Sequence, residues 1–275
     1  MKNVSCVVLD LDGTTLRSNG TLSERNKQAI VNAMEQGIHV IVASGRSYTA
    51  LPDEVMNLQG IEYAIASNGA NGYEVASGKR LFSHVIAEET VCQMLKELKE
   101  MDAVIELFID GVPYADEAYV ADPVRFGATK RAVPYVQRTR KPVEDIYAFA
   151  WENRMRLDSL DVIVSSLELQ KQVRAKMEAI GNLYITSSVP SLVEMSNPLG
   201  GKAQGMQYFV EKLGLAREEI AAFGNAENDL DMMLYAGYGI AVANTPEEIR
   251  AQVPYVTLSN DEDGVAAWLE EYVLR

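Results

Sequence analysis

Five short apolar runs constrain this chain most: Cys6-Val7-Val8-Leu9, Ile38-His39-Val40-Ile41-Val42, Tyr63-Ala64-Ile65-Ala66, Ile220-Ala221-Ala222-Phe223 and Gly239-Ile240-Ala241-Val242. A strand with one wet face alternates apolar and polar residues. Runs that do not alternate belong to strands covered on both faces, as in a parallel sheet. Helical patterns lie between them. Ser23 to Met34 opens on a capping-type serine and stops at Gly37. Met206, Phe209, Val210 and Leu213 share one helical face, with Gly214 as the stop. Thr245-Pro246-Glu247-Glu248 reads as a capping box with proline at the first helical position. Strands alternating with helices imply right-handed βαβ units, and so an α/β fold with a doubly wound parallel sheet.

The stretch from Ser83 to Val193 has another character. Val91, Leu95, Leu98 and Met101 mark one amphipathic helix; Leu169, Val173, Met177 and Ile180 mark a second, capped by Ser165 with Glu168. Strands are expected at Ala103–Ile109 and Leu160–Val164. The mixed segment Asp116 to Asp145 contains Pro123, Pro134, Pro142 and a basic run, Arg138-Thr139-Arg140-Lys141, which reads as a solvated face. A length of 275 residues accommodates two ordinary domains. The expected division is a core of residues 1–82 and 194–275 and an inserted α+β domain of residues 83–193.

Charge narrows the partners. The net charge is −14, which repels phosphate backbones and anionic lipid headgroups, so neither nucleic acid nor a membrane surface is an expected partner. No apolar stretch is long enough to cross a bilayer. Lys2 is followed by a short apolar run that soon meets Asp10, unlike a signal peptide. Cys6 and Cys92 match neither a disulfide framework nor a zinc spacing. The expected compartment is the cytoplasm. The oligomeric state is not encoded in any of these features.

The apolar runs end in polar clusters: Asp10-Leu11-Asp12-Gly13-Thr14, Ser44-Gly45-Arg46, Ser67-Asn68-Gly69, Gly224-Asn225-Ala226-Glu227-Asn228-Asp229, and Asn244. In open α/β sheets ligands bind beyond the carboxyl ends of the strands, so these clusters are expected to converge. Asp10 and Asp12 repel each other unless a cation lies near; alternatively, they form only an Asx-type turn with Gly13. An EF-hand is excluded, because a strand precedes the loop and its sixth position is Thr15 rather than glycine. Beside the Asx turn stands another reading, a hard-cation site with one carboxylate able to act as nucleophile. Gly200-Gly201-Lys202 is not a P-loop, since Ser196 and Ala203 occupy required positions. Lys202 would open a helix, where the dipole disfavours a cation unless an anion is shared there. Ser44 as a helix cap, Arg46 as a surface ion pair and Asn68-Gly69 as a plain turn are the structural alternatives. His39 and His84 are read as structural. No Gly-x-Ser-x-Gly elbow is present.

In this order the residues resemble the haloacid dehalogenase-like (HAD) phosphohydrolases. Asp-Leu-Asp-Gly-Thr at 10–14 is similar to that superfamily's first motif, Ser44 to the second, Lys202 to the third and Gly-Asn-Ala-Glu-Asn-Asp at 224–229 to the fourth. The interval from Asp10 to Ser44 is too short for a cap domain, while that from Ser44 to Lys202 has room for one. That is the C2-cap arrangement, and Ser67 to Ala70 and Asn260 to Val265 are similar to the Cof subfamily.

The resemblance implies a Rossmann-like core with an inserted cap and a Mg²⁺-dependent phosphatase of small phosphorylated metabolites, sugar phosphates among them. Asp10 would form an aspartyl-phosphate, Asp12 would serve as acid and base, and Ser44 and Lys202 would hold phosphoryl oxygens. Thr14, Arg46, Asn68 and Asn228 would position substrate. Mg²⁺ would sit against Asp10, the Asp12 carbonyl and the fourth motif, Asn225 and Asp229. The family pattern has aspartate where this chain has Asn225, which implies weaker metal affinity unless Glu227 or Asp229 restores the charge. Two rivals follow: a phosphotransferase or phosphomutase on the same scaffold, and a catalytically impaired phosphate-ligand binding protein.

Overall fold

The computed structural model of the protein describes residues 4–274. The first elements are β1 (Cys6–Asp10), α1 (Glu24–Glu35), β2 (His39–Ala43), α2 (Asp53–Met56), β3 (Ile61–Ala66), β4 (Asn71–Glu74) and β5 (Lys79–Ser83). Next come α3 (Glu88–Glu100), β6 (Val104–Ile109), β7 (Val112–Asp116), α4 (Glu117–Ala121), α5 (Val133–Thr139), β8 (Lys141–Val143) and α6 (Ile146–Glu152). They are followed by β9 (Leu157–Ile163), α7 (Leu167–Ile180), β10 (Tyr184–Thr186) and β11 (Leu192–Ser196). The last are α8 (Lys202–Leu213), β12 (Ile220–Gly224), α9 (Glu227–Tyr235), β13 (Tyr238–Ala241), α10 (Glu247–Arg250), β14 (Tyr255–Val256) and α11 (Gly264–Tyr272). None of the described helices is long and apolar enough to cross a membrane.

The chain divides into two compact units. The first comprises residues up to Gly45, Leu51–Phe82 and Gly201 onward; the second comprises Arg46–Ala50 and Ser83–Gly200. The first unit is built on a sheet of order β14-β13-β12-β1-β2-β3-β4-β5. From β14 to β3 the neighbours run parallel. Successive residues of each strand face opposite sides. Cys6, Val8, Ile41, Ile220 and Ala222 meet Met206, Phe209 and Val210 of α8 and Met232 of α9. On the opposite side Phe223 meets the ring of Trp268 in α11, at 5.3 Å between centroids, and α11 packs on α1. Both faces are covered, as the unbroken apolar runs require. α1 is capped as expected, Ser23 accepting from the Asn26 N–H, and α8 ends on Gly214 in the left-handed conformation. Thr245 is not a cap: its hydroxyl donates to the Gly224 carbonyl (3.4 Å), and Pro246 precedes α10 without a side-chain cap. β4 runs antiparallel to β3 and escaped sequence reading, because Asn71-Gly72-Tyr73-Glu74 has little apolar signal.

The second unit contains a sheet of order β10-β11-β9-β6-β7-β8, antiparallel except between β7 and β8. One face is apolar: Ile105, Leu107, Leu160, Val162, Val193 and Met195 pack with residues of α3, α6 and α7. Opposite it, Thr186, Glu194, Asp161 and Glu106 stand in register across β10, β11, β9 and β6, all buried. Arg140 holds Glu106 through Nε (2.9 Å) and Nη2 (2.5 Å) and is itself only 8 % exposed. The basic run is therefore not a solvated face at Arg140, because a buried glutamate demands a counter-charge. The cap of α7 is Ser166, one residue after the expected Ser165. β11 stays paired with β9 as far as Ser196, three residues past the expected boundary at 193. Residues 46–50 associate with the second unit through Thr49, whose N–H and hydroxyl both donate to the Gly111 carbonyl.

Candidate active site

β1 is buried along its length and delivers Asp10, 4 % exposed, at its carboxyl end. The chain turns at once, with the N–H groups of Thr14, Thr15 and Leu16 all donating to the Leu11 carbonyl. Gly13 makes the turn at φ +80°, and a Cβ there would come 2.8 Å from the Asn225 amide. Glycine is thus required for both conformation and room. The turn leaves Asp12 exposed and Thr14 and Thr15 buried. The Thr15 hydroxyl donates to the Asp10 carbonyl (2.5 Å).

Lys202 is the first residue of α8, and its ammonium is fully buried. Nζ donates to Asp10 Oδ1 at 2.7 Å and to Asp229 Oδ1 at 2.6 Å. The conflict between a cation and the positive helix end is resolved by two carboxylates of the chain itself. Burial, reinforced by the nearby charge of Asp229, pushes the Asp10 carboxyl up to about 7, with Lys202 pulling the other way. Burial also works against the Lys202 ammonium, but the two carboxylates outweigh it and its pKa rises.

Asp229 sits in the first turn of α9. Its Oδ2 accepts from the N–H groups of Asn225 (2.9 Å) and Ala226 (3.0 Å), satisfying donors at the helix start. With Oδ1 on Lys202, each of its oxygens has a partner. Asp229 thereby ties the lysine to the turn before α9. Among the described residues no group of three or more His, Cys, Asp or Glu side chains is placed to hold a metal ion. The oxygens that suit a hard cation are one carboxylate oxygen of Asp10, the Asp12 carbonyl and the carboxamide of Asn225. One end of that carboxamide lies 2.9 Å from Thr14 Oγ1, 2.9 Å from Asp12 O and 3.2 Å from Asp10 Oδ2. With its oxygen turned inward, this set fits Mg²⁺, with one carboxylate and two neutral oxygens.

A second group of contacts braces the first. Ser44 donates its N–H to the Ile65 carbonyl and accepts at its own carbonyl from the Asn68 N–H. Asn68 is left-handed (φ 49°), its carbonyl accepts from the Gly201 N–H (2.6 Å), and its Oδ1 accepts from Asn228 Nδ2 (2.9 Å). One asparagine therefore ties the ends of β2 and β3 to the start of α8 and the first turn of α9. Arg46 is counted with the second unit, where its guanidinium lies 4.5 Å from the Tyr135 ring centroid and donates to the Ala50 carbonyl. Sequence reasoning missed the bracing roles of Asn244 and Asn260. Asn244 donates to the Gly13 carbonyl (2.8 Å) and accepts from the Asn260 N–H, and Asn260 donates to the Leu16 carbonyl (2.9 Å). The only signal for Asn244 was its place at a strand end.

A family model described as haloacid dehalogenase-like hydrolase matches residues 7–269. The chain belongs to the haloacid dehalogenase-like hydrolases. It is accordingly an enzyme, and among its relatives are named phosphatases. A Bacillus subtilis (strain 168) 5-amino-6-(5-phospho-D-ribitylamino)uracil phosphatase is 25% identical, the alignment covering 98% of each chain. An Escherichia coli (strain K12) pyridoxal phosphate phosphatase is 24% identical over 98% of each. The solved structure of a haloacid dehalogenase-like hydrolase from B. subtilis superposes with a TM-score of 0.84, at 24% identity, covering 98% of this chain and all of that one. The hydrolase thus has the α/β fold expected of it.

Proposed function

We propose that this hydrolase is a cytoplasmic, Mg²⁺-dependent phosphatase of small phosphorylated metabolites, sugar phosphates among them. The observation that carries the reading is a buried Asp10 at the end of β1, bonded to a buried Lys202 that Asp229 also holds. A carboxylate oxygen of Asp10 attacks phosphorus, forming the aspartyl-phosphate as the bond to the leaving alkoxide breaks. Asp12, exposed beside it, gives its proton to that alkoxide. The resulting Asp12 carboxylate then takes a proton from water as the water attacks the intermediate, which releases inorganic phosphate and regenerates Asp10. Lys202 and Ser44 hold phosphoryl oxygens, while Thr14, Arg46, Asn68 and Asn228 position the substrate or the loops around it. Mg²⁺ would be held by Asp10, the Asp12 carbonyl and Asn225, and would supply charge neutralisation between carboxylate and phosphate. Asp229 contributes through Lys202. In this reading the second unit is the inserted cap domain.

The named relatives act on phosphorylated ribityl and pyridoxal compounds, small phosphate monoesters of the class proposed. Phosphate release from a panel of phosphorylated metabolites with Mg²⁺ tests the reading. Turnover in the wild type and none in Asp10→Asn is the expected result; wild-type turnover in Asp10→Asn would overturn the mechanism. A second reading, a binding protein with little turnover, draws on the Asn225 amide beside Asp10. Metabolite binding without phosphate release at saturating Mg²⁺ would favour it.

A further inference from the structure

The end of the Asn225 carboxamide nearest Asp10 is surrounded by oxygen: Thr14 Oγ1, the Asp12 carbonyl and Asp10 Oδ2, all within 3.2 Å. The last two are pure acceptors when Asp10 is ionised. An amide oxygen there, with no cation, would face them acceptor to acceptor. An amide nitrogen in the same place donates to both, and its remaining contact, the Thr14 hydroxyl, serves equally as acceptor. The backbone of Asn225 is fixed by its N–H on Asp229 Oδ2, and the glycine at 13 leaves the amide its space. The side-chain amide can therefore turn while the loop stays in place.

We propose that the Asn225 nitrogen is a hydrogen-bonded stand-in for the cation, joining Asp10 to the Asp12 carbonyl until Mg²⁺ arrives and the amide turns its oxygen inward. The second half rests on the Mg²⁺ reading above; the first does not. An aspartate at 225 could not act in this way, because it has only acceptors and would need a cation to sit among Asp10 Oδ2 and Asp12 O. Asparagine makes the metal-free site self-satisfied, and each Mg²⁺ ion must displace two donated hydrogen bonds. Weak metal affinity then has two causes, a missing charge and an internal competitor.

Amide NMR on the full chain tests this without reading turnover. In EDTA, the side-chain NH₂ of Asn225, assigned by its absence in Asn225→Asp, should exchange slowly with solvent. Saturating Mg²⁺ should shift that pair and remove its protection. In EDTA, Asn225→Asp should melt roughly 3–6 °C below wild type, from the lost donor and the facing acceptors, and Mg²⁺ should reverse the order. An Asn225 NH₂ that exchanges in EDTA like an exposed amide, or an Asn225→Asp melt equal to wild type, would overturn the stand-in role. Calorimetric titration separates the two readings. Mg²⁺ heat with an unmoved, protected amide defeats the displacement alone; no Mg²⁺ heat at all defeats the metal dependence proposed for the enzyme and the displacement with it.

Discussion

Lys202 occupies the helix end least hospitable to a cation, and two carboxylates distant in sequence hold it there. Removing one partner of such a buried group strands the others. Lys202→Met should lower stability by about 3–5 kcal/mol in urea melts at neutral pH, because Asp10 and Asp229 would be left buried without their counter-charge. A loss under 1 kcal/mol would show that the triad is not a structural keystone. Asp10 also predicts a pH dependence. Its carboxyl is held up at about 7 in the folded, metal-free chain, against an ordinary 3.8. The folded state therefore binds its proton more tightly than the unfolded state. The stability this contributes is complete below the ordinary value and is lost as pH rises through about 7. Thermal melts in EDTA should fall from pH 5 to 8 in wild type and fall less in Asp10→Asn. Parallel curves would contradict the assignment.

At the level of elements, the strand ends are stitched by backbone as much as by side chains. A Cβ on residue 69 would stand 2.1 Å from the Gly201 carbonyl oxygen, so the loop after β3 and the start of α8 approach as closely as two glycines permit. That approach lets Asn68 accept the Gly201 N–H and fixes where Lys202 begins its helix. In the second unit the corresponding constraint is charge. Glu106, Asp161 and Glu194 share one buried sheet face, and burial together with Glu194 and Glu106 raises the Asp161 pKa well above the carboxylate range. Arg140 supplies their compensating charge through Glu106. Arg140→Met should cost about 3–5 kcal/mol of stability, while Arg138→Met, two residues away and exposed, should stay within about 0.5 kcal/mol. Equal small effects of the two variants in denaturant melts would return the basic run to the surface.

For the whole molecule, each unit has a sheet and an apolar core of its own. Two cores allow two cooperative transitions, so scanning calorimetry should give a calorimetric enthalpy larger than the van't Hoff value. The residues proposed for Mg²⁺ all lie in the first unit, so Mg²⁺ should raise that unit's transition and leave the other in place. A single transition with matching enthalpies would mean that the two units unfold as one.

The sequence by itself determined the α/β layering, because strand burial on both faces is written in contiguous residues: the five apolar runs are β1, β2, β3, β12 and β13 to within two residues at either end. It also determined which residues could carry chemistry, because Asp10, Ser44, Asn68 and the 224–229 cluster follow those strands directly. The antiparallel β4 was illegible, since Gly72, whose side-chain space Phe82 of β5 occupies, leaves the strand no periodic signal of its own. Only the tertiary structure decided what each polar group does. Asp229 joined Lys202, Arg140 turned inward, and one end of the Asn225 amide was surrounded by oxygens. Hydropathy is a local property of the chain, whereas the state of a buried charge depends on its partner, and Lys202 and Asp10 lie 192 residues apart.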